Sequence, residues 1–350
     1  MSNAKVCVII PVYRVDGKLL RECIDSVTSQ TLPDIEIIIV DDGAPEDNAK
    51  IIDEYADKDK RIKVIRQENM GASAARNAGL SACNACYVTF VDSDDYISKE
   101  CLEAAVAEAE KGDLDVLIWG TYKLFSDHTE EYAPFTADVE LLSDKQKEWL
   151  QLKTMAGDLP VYGSPCSKYG SGSCCSKLYR TSFLRENSLK YPEGIVRSED
   201  VNFNFRVFEK ASRIGYMNRF FYYYRQLAGS ATYTYRDGGI SIFTDALAEL
   251  RRSITEFSKS DYFMQVFYMR CMFFILNGMD MDYCNPDNPK PYGVRMRELA
   301  EILHEDPYRD AFTRLSYKNL AFTRKIPLFL MRRGWVRLLA MFYAVYKRAK

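Results

Sequence analysis

Residues 87–96 read YVTFVDSDDY: an unbroken apolar run, Tyr87 to Val91, that stops at three carboxylates, Asp92, Asp94 and Asp95. Apolar runs of this length without alternation are the pattern of parallel strands covered on both faces. Three further runs share it, at 6–10 (VCVII), 36–40 (EIIIV) and 115–119 (DVLIW). Helical patterns lie between them. Leu19, Leu20, Cys23, Ile24 and Val27 fall on one helix face, and 101–111 is rich in Ala and Glu behind a candidate cap at Ser98. Strand alternating with helix predicts an open, doubly wound α/β unit over the first ~115 residues.

Sheets of this kind bind ligands beyond the carboxyl ends of their strands. Two acidic clusters fall there: Asp41 and Asp42 after EIIIV, and Asp92, Asp94 and Asp95 after YVTFV. Carboxylates gathered on one crevice repel and raise one another's pKa unless a cation balances them, which argues for a bound divalent metal. Oxygen-only ligands suit Mn²⁺ or Mg²⁺. On an extended segment Asp92 and Asp94 point to the same side, one placed to meet a nucleotide ribose and the other to reach the metal. Either cluster alone would read equally well as turn formers or helix caps. Both on one edge weigh against that.

The 350 residues amount to two ordinary domains, or one large α/β domain with an extension. With 47% hydrophobic and 27% charged residues, the composition excludes a disordered, collagenous or coiled-coil chain. Net charge is only −2, yet 311–350 holds ten Lys or Arg and no Asp or Glu, so the first 310 residues carry −12. The ten cysteines are scattered, the start has no secretory h-region, and no apolar run reaches the ~20 residues of a membrane span. A reduced, cytoplasmic protein is expected. Cys83 and Cys86 form the one CxxC, and with two histidines no zinc set at the usual spacing is completed. The stretch 163–176 (GSPCSKYGSGSCCS) reads as a long loop. The aromatic run 220–225 (FFYYYR) reads as core in preference to a sugar-stacking surface.

Taken in order, VCVIIPVYR, CIDSVTSQT, EIIIVDDGAPEDN, NMGASAARNAGL and FVDSDDY resemble the family 2 glycosyltransferases of GT-A fold. CCSKLYRTSF, YPEGIVRSEDVNF and YYYRQLAGSAT resemble that family's acceptor-side half. The resemblance covers roughly 5–235. It implies a mixed, mainly parallel GT-A sheet flanked by helices, with 1–115 the nucleotide-binding half, 116–235 the acceptor-binding half and 236–350 a helical C-terminal region.

It further implies roles residue by residue. Pro11 and Tyr13 match positions that contact the nucleotide base, Asp42 the carboxylate that accepts from a uracil imide N–H, and Arg66 a base- or phosphate-contacting arginine. Asp92 and Asp94 match the D-x-D, with Asp94 the direct metal ligand. Glu199 and Asp200 match an E-D pair whose Asp is the catalytic base. Lys177 and Arg225 would add positive charge at the donor, or serve as plain salt-bridge residues. Arg14 departs from the family, which usually has Asn there, as does the Gly/Ser/Cys insertion before Lys177.

The activity so implied is inverting transfer of a hexosyl or N-acetylhexosaminyl group from a UDP-sugar to a hydroxyl of a saccharide or lipid-linked acceptor, in cell-surface polysaccharide synthesis. No nucleic-acid partner is expected. Two other readings compete. A phosphatase of the haloacid dehalogenase type places its aspartates near the chain start, whereas here they follow a complete βα unit. A nucleotide-sugar-binding scaffold predicts loss of the metal or base position, yet Asp94 and Asp200 are both present. The segment 326–350, read as one helix, gathers Trp335, Leu338, Leu339, Phe342 and Val345 on a face beside basic residues. That pattern suits an anionic membrane surface, and equally a helix packed on the protein's own acidic body.

Overall fold

A computed structural model describes residues 4–157, 172–226, 235, 237–318, 320 and 322–348, with the side chains of the last helix described as far as 345. Among these, 4–157 and 172–226 form one compact unit, and the described residues from 235 onward a second. The segment 163–176 lies outside the described residues as far as 171.

The first unit is built on β1 (Val6–Val12), β2 (Ile35–Asp42), β3 (Ile62–Gln67), β4 (Tyr87–Phe90), β5 (Tyr96–Ile97), β6 (Val116–Leu124), β7 (Thr129–Tyr132), β8 (Lys177–Arg180) and β9 (Ile214–Arg225). They form one sheet in the order β3-β2-β1-β4-β8-β6-β9-β5, with β7 paired to β6. β3, β2, β1 and β4 are parallel neighbours. β8 runs antiparallel to both β4 and β6, so the sheet is mixed. Its helices are α1 (Gly17–Thr28), α2 (Glu46–Lys58), α3 (Ala72–Ala82), α4 (Cys101–Lys111), α5 (Asp144–Ala156), α6 (Thr181–Glu186) and α7 (Glu199–Lys210).

All eight residues of β2 are buried, which is why its sequence shows no alternation. α1 buries Leu20, Cys23, Ile24 and Val27, four of the five residues on its apolar face, and starts where Asp16 accepts the Lys18 N–H at 2.9 Å. α4 begins one residue past Glu100, and it is the carbonyl of Ser98, not its hydroxyl, that accepts from Cys101. α3 lies so close to the sheet that a Cβ on Gly79 would stand 2.5 Å from a methyl of Ile9. The run at 115–119 is not a direct neighbour of the other three: β8, the short KLYR strand, stands between β4 and β6. β3 (IKVIRQ) is an edge strand with only Ile62 buried, so its polar residues hide it from a search for apolar runs.

From β1 the chain winds to β2 and β3 on one side, then crosses to β4 on the other. The reversal opens a crevice at the carboxyl ends of these strands. The register sets Val12 opposite Asp41 and Asp41 opposite Arg66, so Tyr13, Asp41, Asp42 and Arg66 come to one corner of it.

The second unit is helical: α8 (Thr244–Glu256), α9 (Asp261–Gly278), α10 (Tyr292–Leu303), α11 (Tyr308–Arg314), α12 (Phe322–Arg332) and α13 (Val336–Arg348). The single helix expected over 326–350 is therefore two. Gly334, at φ 63°, turns the chain between them, a backbone conformation that favours glycine. Val336, Leu339 and Ala340 are buried, while Trp335, Leu338, Met341 and Val345 are exposed, so the expected apolar face is shared between the unit's interior and its surface. Arg332 is committed to the end of α11, donating to the carbonyls of Phe312, Thr313 and Leu315. Among the described residues no helix is long and apolar enough to cross a membrane.

Candidate active site

The loop Val91–Tyr96 leaves β4 and carries the D-x-D. It is held from behind. The Cys23 thiol donates to the Asp92 carbonyl at 3.4 Å, and the Tyr222 hydroxyl accepts from the Asp92 N–H at 3.2 Å while donating to Asp95 at 2.8 Å. Arg225 gives its main-chain N–H to the Asp95 carboxylate at 2.8 Å and its guanidinium to the Asp94 carbonyl at 2.6 Å and to Glu22. Arg225 thus fixes the loop through the Asp94 carbonyl and acts on the Asp94 carboxylate by its charge, without a hydrogen bond to it. The core reading of FFYYYR holds for Phe221 and Tyr222 but not for Tyr224, which is exposed; the Tyr222 hydroxyl is also a support of the site, a role the aromatic run does not signal.

Asp95 is buried with its carboxyl well above the usual range, by desolvation first and then by Asp92 and Asp94. Asp94 is raised by the same causes, burial before Asp92. Among the described residues no cation bonds the Asp94 side chain. A half-buried carboxylate of oxygen ligands only, with a second carboxylate beside it and no cation bonded to it among the described residues, fits a hard divalent ion.

Arg76 of α3 joins the two halves of the site. One side of its buried guanidinium donates to Asp92 at 2.9 Å, the other to Glu199 at 2.9 Å, and its plane lies 5.4 Å from the Tyr191 ring. These partners are 16 and 123 residues away in the chain. The D-x-D and the E-D pair, far apart in sequence, therefore share one cation. Arg76 is absent from the residues that the sequence marks out as functional; in NMGASAARNAGL the available signal is an arginine amid small residues on a helix next to an acidic edge.

Asp200 follows Glu199 in the first turn of α7, where its Oδ1 accepts the Val201 N–H at 2.7 Å. Burial, then the charge of Glu199, push its carboxyl up to about 7, against the opposing pull of Arg76. A carboxylate that titrates near neutrality is matched to proton abstraction at working pH.

Tyr13 is exposed at the mouth of β1, with the Arg14 guanidinium 5.1 Å from its ring, and Pro11 is partly buried behind it. Arg66 is half-exposed, paired with Asp53 and 3.4 Å from Asp41. Asp42 is buried and turned inward. One oxygen accepts from Gln67 at 2.7 Å and the Met70 N–H at 2.8 Å, the other from Asn69 at 3.3 Å and the Gly71 N–H at 2.9 Å. Four donors fill its acceptor positions, so Asp42 organises the turn that leads into α3 and carries Arg76. Lys177 likewise faces inward: it is fully buried, donates to the carbonyls of Ser173 and Cys175, and is lowered to about 8 by burial.

A mixed sheet wound about β1, with acidic loops at its carboxyl edge, is GT-A architecture. The crystal structure of Staphylococcus aureus TarS 1–349 in complex with UDP-GlcNAc has the same fold: TM-score 0.66 at 20% identity, covering 99% of this chain and 92% of that one. Residues 7–165 match the model of glycosyl transferase family 2. The uncharacterized glycosyltransferase EpsJ of Bacillus subtilis (strain 168) is 36% identical over 65% of this chain and 62% of its own length. The glycosyltransferase GlyA of Streptococcus pneumoniae serotype 4 is 31% identical over 71% of this chain and 34% of its own. The chain thus spans less than two thirds of either relative. The match to glycosyl transferase family 2 is carried by residues 7–165.

Proposed function

We propose that the protein is an inverting glycosyltransferase that moves a hexosyl or N-acetylhexosaminyl group from a UDP-sugar to a hydroxyl of a saccharide or lipid-linked acceptor, in cell-surface polysaccharide synthesis. One observation carries the reading: the Arg76 guanidinium, 2.9 Å from each, ties Asp92 of the D-x-D to Glu199 of the E-D pair, which supports donor and base roles about one crevice. The TarS complex with UDP-GlcNAc, on the same fold, supports the choice of donor.

In this reading Tyr13 and Pro11 flank the uracil, Arg66 stands beside it, and Asp42 accepts the imide N–H in exchange for the Gln67 side chain, the more movable of its donors. Asp92 meets the ribose. Asp94 holds a divalent ion, Mn²⁺ or Mg²⁺, which when bound supplies charge to balance the departing diphosphate. Asp200 takes the proton of the acceptor hydroxyl at its carboxylate as that oxygen attacks the anomeric carbon, opposite the diphosphate. One displacement breaks the sugar–phosphate bond as the new glycosidic bond forms, and configuration inverts. Glu199, pinned by Arg76, positions Asp200 and keeps its carboxyl raised. Lys177 supports the donor side through the loop whose carbonyls it holds.

Titrating UDP, GDP and dTDP calorimetrically, with and without Mn²⁺, tests the donor site. UDP binding that needs metal and is lost in Asp94→Ala is the expected result, and no nucleotide binding under any condition would overturn it. We further propose that α12 and α13 rest on an anionic bilayer, because exposed Trp335, Leu338, Met341 and Val345 accompany Arg333 and Arg337. Flotation with anionic liposomes should bring the protein up. A Trp335→Glu/Leu338→Glu variant that floats equally well would remove the idea.

A further inference from the structure

Two groups of thiols and carboxylates in the first unit bring three ligand atoms within 4.8 Å of one another: Cys7, Glu36 and Cys83, and Asp92, Cys174 and Cys175. Their surroundings differ. Glu36 is already engaged, one oxygen by Lys63 and the other by the Asn84 N–H at 2.9 Å. In the second group Arg76 takes one oxygen of Asp92, and the other takes no hydrogen bond among the described residues. The two thiols are buried, with sulfurs 3.9 Å apart. Two thiolates on a tetrahedral zinc, each about 2.3 Å from the metal, stand about 3.8 Å apart. The pair therefore already has the spacing of two corners of a tetrahedron, and Asp92 is placed to be a third.

We propose that Asp92, Cys174 and Cys175 form a site for a thiophilic divalent cation, zinc above all, through which that ion shuts the donor site. This rests on the glycosyltransferase reading for its consequence, though not for the binding. The chemistry separates the two metals. Two thiolates and one carboxylate prefer zinc to manganese or magnesium, whereas Asp94, an oxygen ligand in an acidic loop, suits the harder ions. As zinc binds, each thiol gives its proton to solvent. Asp92 is half-exposed, so a water can complete the coordination. Asp92 is thereby withdrawn from the donor through its free oxygen, while the other oxygen stays on Arg76.

The test uses the full chain, reduced and freed of metal. Cobalt is the spectroscopic probe: one equivalent should give the thiolate-to-cobalt charge-transfer band of a tetrahedral site, and zinc should abolish it. Cys174→Ser and Cys175→Ser should each weaken zinc binding by roughly 100-fold or more, while Cys83→Ser leaves it unchanged. X-ray absorption of the zinc-loaded Cys83→Ser variant should count two sulfurs, which needs no change in the proposed ligands. No charge-transfer band in the wild type, or a zinc shell without sulfur, overturns the site. Calorimetry of UDP with Mn²⁺, run with and without one equivalent of zinc, reads the consequence. If UDP binds and zinc does not weaken it, the regulatory role falls and the donor reading stands. If zinc binds through two sulfurs but UDP never binds, the donor reading falls and the metal site stands.

Discussion

The amino and carboxyl edges of the same sheet treat buried charge in opposite ways. At the amino edge Glu36 lies opposite Cys7 in the β1–β2 register, and Lys63 and the Asn84 N–H complete its bonding. The charge is settled inside the protein. At the carboxyl edge Asp92, Glu199 and Asp200 gather about Arg76 and Asp94 and Asp95 lie by Arg225, and the nearby cations are occupied: Arg225 by Glu22 and a carbonyl, Lys177 by two carbonyls. Burial first, and then the neighbouring carboxylates, raise Asp94, Asp95 and Asp200. Unbalanced buried charge costs stability, so a chain keeps it where something from outside restores the balance.

The sharpest way to break that contrast is to remove the base. Asp200→Asn should lower transfer by about 100- to 10,000-fold while UDP binding with Mn²⁺ is retained. A variant with more than about a tenth of wild-type turnover would make Asp200 an ordinary first-turn acid of α7. Next in size is Arg76→Met, which leaves Asp92 and Glu199 without their shared cation. Unfolding in urea should show a loss of about 3 kcal/mol, because uncompensated buried carboxylates are expensive. Arg76→Lys should recover only part of it, since an ammonium cannot span both partners as the fork does.

The pH profile tests the same buried charge more gently. Asp200 must be ionised to accept a proton, and its carboxyl lies at about 7, so turnover should fall as pH drops through 7, by about tenfold per unit further down. An acid limb near 4, the range of an unperturbed carboxylate, would mean that neither burial nor Glu199 perturbs the base.

How far the sequence disclosed this contrast depends on which signal each residue carries. The apolar runs of β1, β2 and β4 and the aspartates that end them are local patterns, readable without knowing the fold. Arg76, Tyr222 and the inward turn of Asp42 are not. Each acquires its role from partners 16 to 130 residues away, which a local signal such as the small residues around Arg76 does not name. β3 and β8 were hidden for a related reason: an edge strand of mixed polarity and a four-residue strand carry too little periodicity to stand out. The helix over 326–350 was read whole because its apolar spacing continues across Gly334, while the positive φ that divides it is a property of the backbone alone.

The smallest expected effect lies at the amino edge and is the control for all the rest. Lys63→Met removes the side-chain cation from Glu36 but leaves the Asn84 N–H in place, and Lys63 is itself half-exposed, so its pairing is screened by water. The loss in urea unfolding should be about 1 kcal/mol, and the dissociation constant for UDP should stay within about twofold of wild type. If charge at this edge is settled internally, no ligand senses its removal. A Lys63→Met variant that weakened UDP as strongly as a change at Arg76 would show that the two edges are coupled through β1 and β2, and the carboxyl edge could then no longer be treated as the one place where this sheet holds charge for a ligand.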